Sequence, residues 1–138
     1  MKKSLLILSL ITTLAHTQMI RLDDKEIVFD TDTKQMWQDN SDAKKLLKEW
    51  SGAMEYCENL SLAGFNDWKL PSDETLKTLS VHKKLLRNGM NSYYWSSSSV
   101  EHFENLAWGV SFNAEGYSYT DAKIYEGYVR CVRGTTLH

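Results

Sequence analysis

From Glu26 onward, apolar and polar positions follow recognisable periods. Glu26-Ile-Val-Phe-Asp30 alternates as a strand, Thr31-Asp32-Thr33 turns it, and Lys34-Gln-Met-Trp-Gln-Asp39 returns antiparallel. Asp39-Asn-Ser-Asp42 reads as loop or helix-start chemistry. Between Ala43 and Leu60 the apolar residues Leu46, Trp50, Ala53, Cys57 and Leu60 recur at a helical spacing, so one face of a helix is apolar. Gly52 weakens the middle of that helix, which can begin as late as Trp50. Gly64 is placed to end it or to turn the chain just beyond it.

Phe65-Asn-Asp-Trp-Lys-Leu70 runs into Pro71, and Ser72 is a good N-cap, because its side-chain oxygen can accept an orphan backbone N–H. Asp73 and Glu74 then put negative charge where the helix end is positive, and Leu76 and Leu79 give an inward face. Val81 to Met90 reads as short helix or irregular chain. From Asn91 the pattern is β: Tyr93-Tyr-Trp-Ser96, a polar loop over Glu101 to Asn105, and Ala107 to Phe112 with Trp108, Val110 and Phe112 on one face. A hairpin loop at Asn113-Ala-Glu-Gly116 leads to a return strand over Tyr117 to Asp121, and the last strand runs from Tyr125 to Arg133. A hairpin, two helices and several antiparallel strands make an α+β domain.

The start of the chain changes how the rest is read. Lys2 and Lys3, the apolar run Leu5 to Leu14 and the small residues Thr13-Leu14-Ala15 read as an export signal over 1–15, with cleavage between 15 and 18. The run is too short for a permanent span, which needs about 20 residues. The expected location is therefore periplasmic or secreted, with one domain over 19–138. In an oxidising compartment the two cysteines, Cys57 and Cys131, are expected to form a disulfide. Without Lys2 and Lys3, 14 basic residues (16 less two) face 18 acidic ones. A net charge of −4 does not suit a nucleic-acid binder.

Several blocks then fall in one order: Phe29-Asp30, Met36-Trp37-Gln38, Trp50 with Ala53 and Tyr56-Cys57, Asp67-Trp68-Lys69-Leu70-Pro71-Ser72, Tyr94-Trp95-Ser96-Ser97 and Tyr128-Val-Arg-Cys-Val-Arg133. Together they resemble the bacterial Legionella collagen-like adhesin C-terminal domain family, from about Ile27 to Arg133. Where the family usually has Thr-Gly-Leu, this chain has Thr33-Lys34-Gln35, and where it places Glu beyond the helix cap, this chain has Thr75. The Asp-Trp-Lys-Leu-Pro and Val-Arg-Cys-Val-Arg blocks are also similar to parts of the wider C-type-lectin-like superfamily. That resemblance implies two helices flanking antiparallel sheet, with a disulfide from first helix to last strand. The resemblance to the adhesin family implies structural roles for Trp37, Trp50, Trp68, Pro71, Ser72, Trp95, Trp108, Arg130 and Arg133.

No cofactor or metal is expected. The lectin loops Glu-Pro-Asn and Gln-Pro-Asp are missing, and Pro71 is the only proline. His16, His82, His102 and His138 lack metal-ligand spacing, and there is no Gly-x-Ser-x-Gly. For ligand contact, the candidates are Tyr93, Tyr94, Tyr117 and Tyr119, with Tyr125 beside them, among small polar residues. Strand packing accounts for the same tyrosines equally well. Lys83, Lys84 and Arg87 form a basic stretch that suits an acidic polymer or a solvated face. The reading that follows is an exported, non-catalytic domain that binds a glycan or an envelope component. The alternatives are a small enzyme related to formylglycine-generating oxidases, or a structural envelope subunit.

Overall fold

The computed structural model describes residues 18–114 and 116–134. The export signal read over 1–15, His16 and His138 lie outside the described residues. Two antiparallel-rich sheets are present. The first has the order β1 (Met19–Leu22), β2 (Ile27–Asp30), β3 (Gln35–Gln38), β9 (Val132–Gly134). The second has the order β4 (Leu47–Lys48), β8 (Gly127–Tyr128), β5 (Tyr93–Val100), β6 (Phe103–Ser111), β7 (Tyr117–Ala122). Three helices accompany them: a single turn α1 (Asp42–Lys45), α2 (Trp50–Glu58) and α3 (Asp73–Ser80). The domain is α+β.

The core has two compartments. Consecutive strand residues point to opposite sides of a sheet, so Ile27 enters one compartment and Val28 the other. Ala53 and Cys57 of α2 pack in the first with Trp68, Trp95 and Val129. Leu76 and Leu79 of α3 pack in the second with Trp37, Val110 and Phe112. Each fully buried large side chain contributes about 1.5–3 kcal/mol of transfer free energy. The Ser72 hydroxyl accepts the Thr75 N–H at 3.2 Å, and the Ser98 hydroxyl of β5 accepts the Asp73 N–H at 3.2 Å, so two side chains cap α3. Cys57 and Cys131 are joined, with Cα atoms 5.4 Å apart, so the bridge ties α2 to the residue before β9.

Four sequence expectations change. The apolar period through Leu46 predicts helix, but Leu47 and Lys48 pair with Tyr128 and Gly127 as β4, so the segment splits into α1 and an α2 that begins at Trp50, the later start the sequence allows. The last strand is broken: β8 belongs to one sheet and β9 to the other, and the chain crosses between them over Val129 to Cys131. Phe103 to Asn105, read as loop, begins β6. Trp108 shares a face with Val110 and Phe112, yet it lies half-buried and outside both core compartments.

The β2–β3 turn forms without the family's glycine. Asp30 accepts the Asp32 and Thr33 N–H groups at 2.9 and 3.3 Å on its carboxylate, and the Lys34 N–H at 2.9 Å on its carbonyl. Lys34 sits at φ 62°, a left-handed conformation that is costly for a residue with a Cβ. Lys34→Gly is therefore expected to stabilise the domain by about 0.5–1 kcal/mol, part of the relief being offset by the freer unfolded chain. Urea denaturation midpoints compare the two proteins; an unchanged or lower midpoint contradicts the strain.

Candidate recognition surface

The second sheet places its aromatic residues by simple alternation, with one side chain per face. Tyr93 and Trp95 of β5 point to the α2 side and Tyr94 to the α3 side, and both sides are covered. Tyr93 lies across Gly109 of β6: a Cβ on Gly109 would come within 2.0 Å of its ring, so only glycine fits there. Across that gap Tyr93 meets Tyr119 of β7, with ring centroids 4.4 Å apart, and Tyr119 meets Tyr117 at 6.2 Å. Tyr93 is in turn edge-on to Trp95 at 5.0 Å. The result is a ledge that runs from the core to the surface and ends at Tyr117, 64% exposed.

Asp121 lies on the same side of β7, and Lys123 follows with its ammonium over the Trp50 ring at 4.2 Å. Burial, then the Asp121 charge, pushes the Tyr119 hydroxyl up to about 12. The same two causes, with Tyr119 added, push Tyr93 well above the usual range. Both hydroxyls therefore stay protonated and can donate at neutral pH. Ile124 and Tyr125 in the next turn are 72% and 58% exposed.

The sequence candidates separate. Tyr117 and Tyr119 form the ledge and Tyr93 supports it from inside. Tyr94 is a correction: it is fully buried, donates to the Ala43 carbonyl at 2.6 Å, and packs on Phe112 and Arg130. Tyr93 is buried as well, so neither Tyr93 nor Tyr94 offers a free face. The basic stretch is largely engaged within the domain. Lys83 donates to the Phe112 carbonyl at 2.6 Å and Arg87 pairs with Asp23 at 3.0 Å. Among the described residues Lys84 alone of the three has no partner. These lysines edge a cleft of about 310 Å³ floored by Leu86, Met90 and Phe112.

The motif blocks are joined to one another. Trp37, Trp68 and Trp95 are buried, while Trp50 is half-buried and donates to the Ser96 carbonyl at 2.8 Å. Pro71 is buried, and its carbonyl accepts the Ser97 N–H at 2.7 Å. Arg133 binds Asp67 through two bonds of 2.6 and 2.9 Å and lies over Phe65. Arg130 is fully buried; it donates to the carbonyls of Gln38 and Asn88 and to the Asp39 carboxylate at 3.2 Å. Asp39, read as loop chemistry, is itself fully buried: it accepts the N–H groups of Arg87 and Asn88, both at 3.0 Å, and pairs with Arg21.

One feature was not expected from the sequence, a cleft of about 430 Å³ beside α2. Asp42, Lys48, Glu55, Tyr56 and Asn59 line it, with Gly52 at its floor. The Tyr56 hydroxyl donates to Asp42 at 2.8 Å, and burial first, then Asp42, raises it above the usual tyrosine range. The signal was the helical spacing of Gly52, Glu55, Tyr56 and Asn59, a polar stripe opposite the apolar one.

A family model described as the Lcl C-terminal domain matches residues 26–133. The chain belongs to that family, the collagen-like adhesin family its motif blocks resemble. A search of curated proteins gives no match. No helix among the described residues is long and apolar enough to cross a membrane.

Proposed function

We propose that this member of the Lcl C-terminal domain family is an exported, non-catalytic recognition domain that takes a glycan on the ledge of Tyr117 and Tyr119. Its adhesin-like family supports binding to an external component. The observation that carries the sugar reading is the ring of Tyr117, exposed at the end of a stack anchored in the core. A pyranose can lay its C–H face on such a ring, and the stack fixes the ring's position before binding, at low entropic cost. The neighbouring Asp121 carboxylate and Tyr119 hydroxyl supply an acceptor and a donor for sugar hydroxyls. The oxidase alternative requires reactive thiols, and the bridge between Cys57 and Cys131 leaves none.

The basic stretch supports an acidic polymer poorly, since Lys83 and Arg87 are held by the domain's own groups. Tyr117→Ala is expected to weaken glycan binding by about tenfold or more while the melting temperature holds, because an exposed ring contributes little to the core. Glycan-array screening of the wild-type domain, followed by titration of both proteins against the best sugar, makes the test. Equal affinity of the variant, or no sugar bound by the wild type, would remove the ledge from the function.

A further inference from the structure

The outer edge of β7 has the features of an interface. β7 is the last strand of the second sheet and pairs with β6 in unbroken register from Tyr117 opposite Ser111 to Ala122 opposite Leu106. One residue on, the Lys123 N–H bonds inward to the Asn105 carbonyl at 2.8 Å. In an antiparallel ladder the direction of these groups alternates, so Ser118 and Thr120 turn their N–H and C=O outward. Neither Pro nor Lys interrupts Tyr117 to Ala122, although such residues commonly protect a free edge. Large apolar side chains instead stand exposed at both ends, Tyr117 at one and Ile124 and Tyr125 at the other.

We propose that this edge pairs antiparallel with the same strand of a second copy, with Thr120 opposite Thr120 across a two-fold axis. Residues facing each other across an antiparallel pair project to the same side, and this register respects that condition. At the centre the two Thr120 residues exchange two N–H···O=C bonds. These carry the pairing, because Ala122, which comes opposite Ser118, already donates to the Asp121 carboxylate at 2.9 Å and accepts the Tyr125 N–H at 3.0 Å within its own chain. On the α2 side Tyr119 comes opposite Asp121 of the partner subunit, a hydroxyl donor facing a carboxylate. Tyr117 comes opposite Lys123 of the partner subunit and beside its Ile124, so the two exposed ends flank each other along the strand edge and leave the outer face of the Tyr117 ring open. No like charges stand directly opposite one another, and a two-fold contact of this kind closes after two copies. The joined sheet carries both tyrosine ledges on one side, but the pairing stands without any sugar.

Sedimentation equilibrium of the purified chain over a concentration series tests this without a ligand, and a closed dimer is the expected species. Thr120→Pro removes the central donor at an edge position where proline is tolerated, and should weaken the dimer by about tenfold or more at unchanged far-ultraviolet circular dichroism. Thr120→Cys provides a second measure. Facing Cα atoms in such a pair stand about 5.5 Å apart, within disulfide reach, so mild oxidation should give a covalent dimer. A wild type that stays monomeric at every concentration, a Thr120→Pro protein that dimerises as tightly, or a Thr120→Cys protein that does not cross-link overturns the proposal. Loss of glycan binding with the dimer intact would count against the ledge alone.

Discussion

Arg130→Met should destabilise the domain by about 3–5 kcal/mol, the range for removing one partner from a buried ion pair. The guanidinium holds three stretches together: the end of β3 through Gln38 and Asp39, the segment before β5 through Asn88, and its own stretch between the two sheets. Burial lowers the guanidinium's pKa, and the nearby Tyr94 hydroxyl works the other way, by charge and by hydrogen bond. Methionine matches much of the volume, so a large loss reports the polar partners and not a cavity. Left behind are two buried carbonyls and an Asp39 carboxylate that keeps Arg21 and two backbone donors. Urea unfolding followed by tryptophan fluorescence measures the loss. A variant within about 1 kcal/mol of wild type would mean that water or Arg21 compensates.

Cys131→Ser should cost roughly 4.5 kcal/mol in non-reducing buffer, as closing a long loop restricts the unfolded chain. The bridged residues are 74 apart in sequence. Cys131 is also held locally, as its N–H donates to the Gln38 side chain at 2.9 Å, so a serine there keeps its backbone position. Reduced wild type and the serine variant should therefore melt together, well below the oxidised protein. Equal melting of oxidised wild type and variant would show that the native bridge is strained enough to offset its entropic gain.

Much of this was legible because local chemistry and tertiary structure agree. Only two cysteines were available, Ser72 stood before an acidic first turn, and Gln35 to Gln38 returned after a turn signal; each needed only its neighbours. The misreadings concern segments decided by distant partners. Tyr93 and Tyr94 read as candidates for ligand contact, because alternation supposes one wet face, yet α2 covers one side and α3 the other. Trp108 looked like core by the same rule, but neither compartment extends to it. The Asp39–Arg130 pair joins residues 91 apart in sequence, and a buried charge leaves no periodic trace. For the ledge, its tyrosines were visible but their stacking was not, since it depends on Gly109 giving room for a ring from the neighbouring strand.

The crossing from β8 to β9 bears on how the domain assembles. Trp37 faces Val132 across the first sheet, so two strands from opposite ends of the domain must meet before that sheet is whole. The β1–β2–β3 and β5–β6–β7 meanders form from nearby residues, but the strands that unite them arrive only after a long stretch of chain has been gathered in. Loop-closure entropy must be met before those contacts repay it, a topology that folds slowly. Once β9 is seated, the disulfide and Arg130 hold the same crossing, and the step that was hardest to make becomes the hardest to reverse.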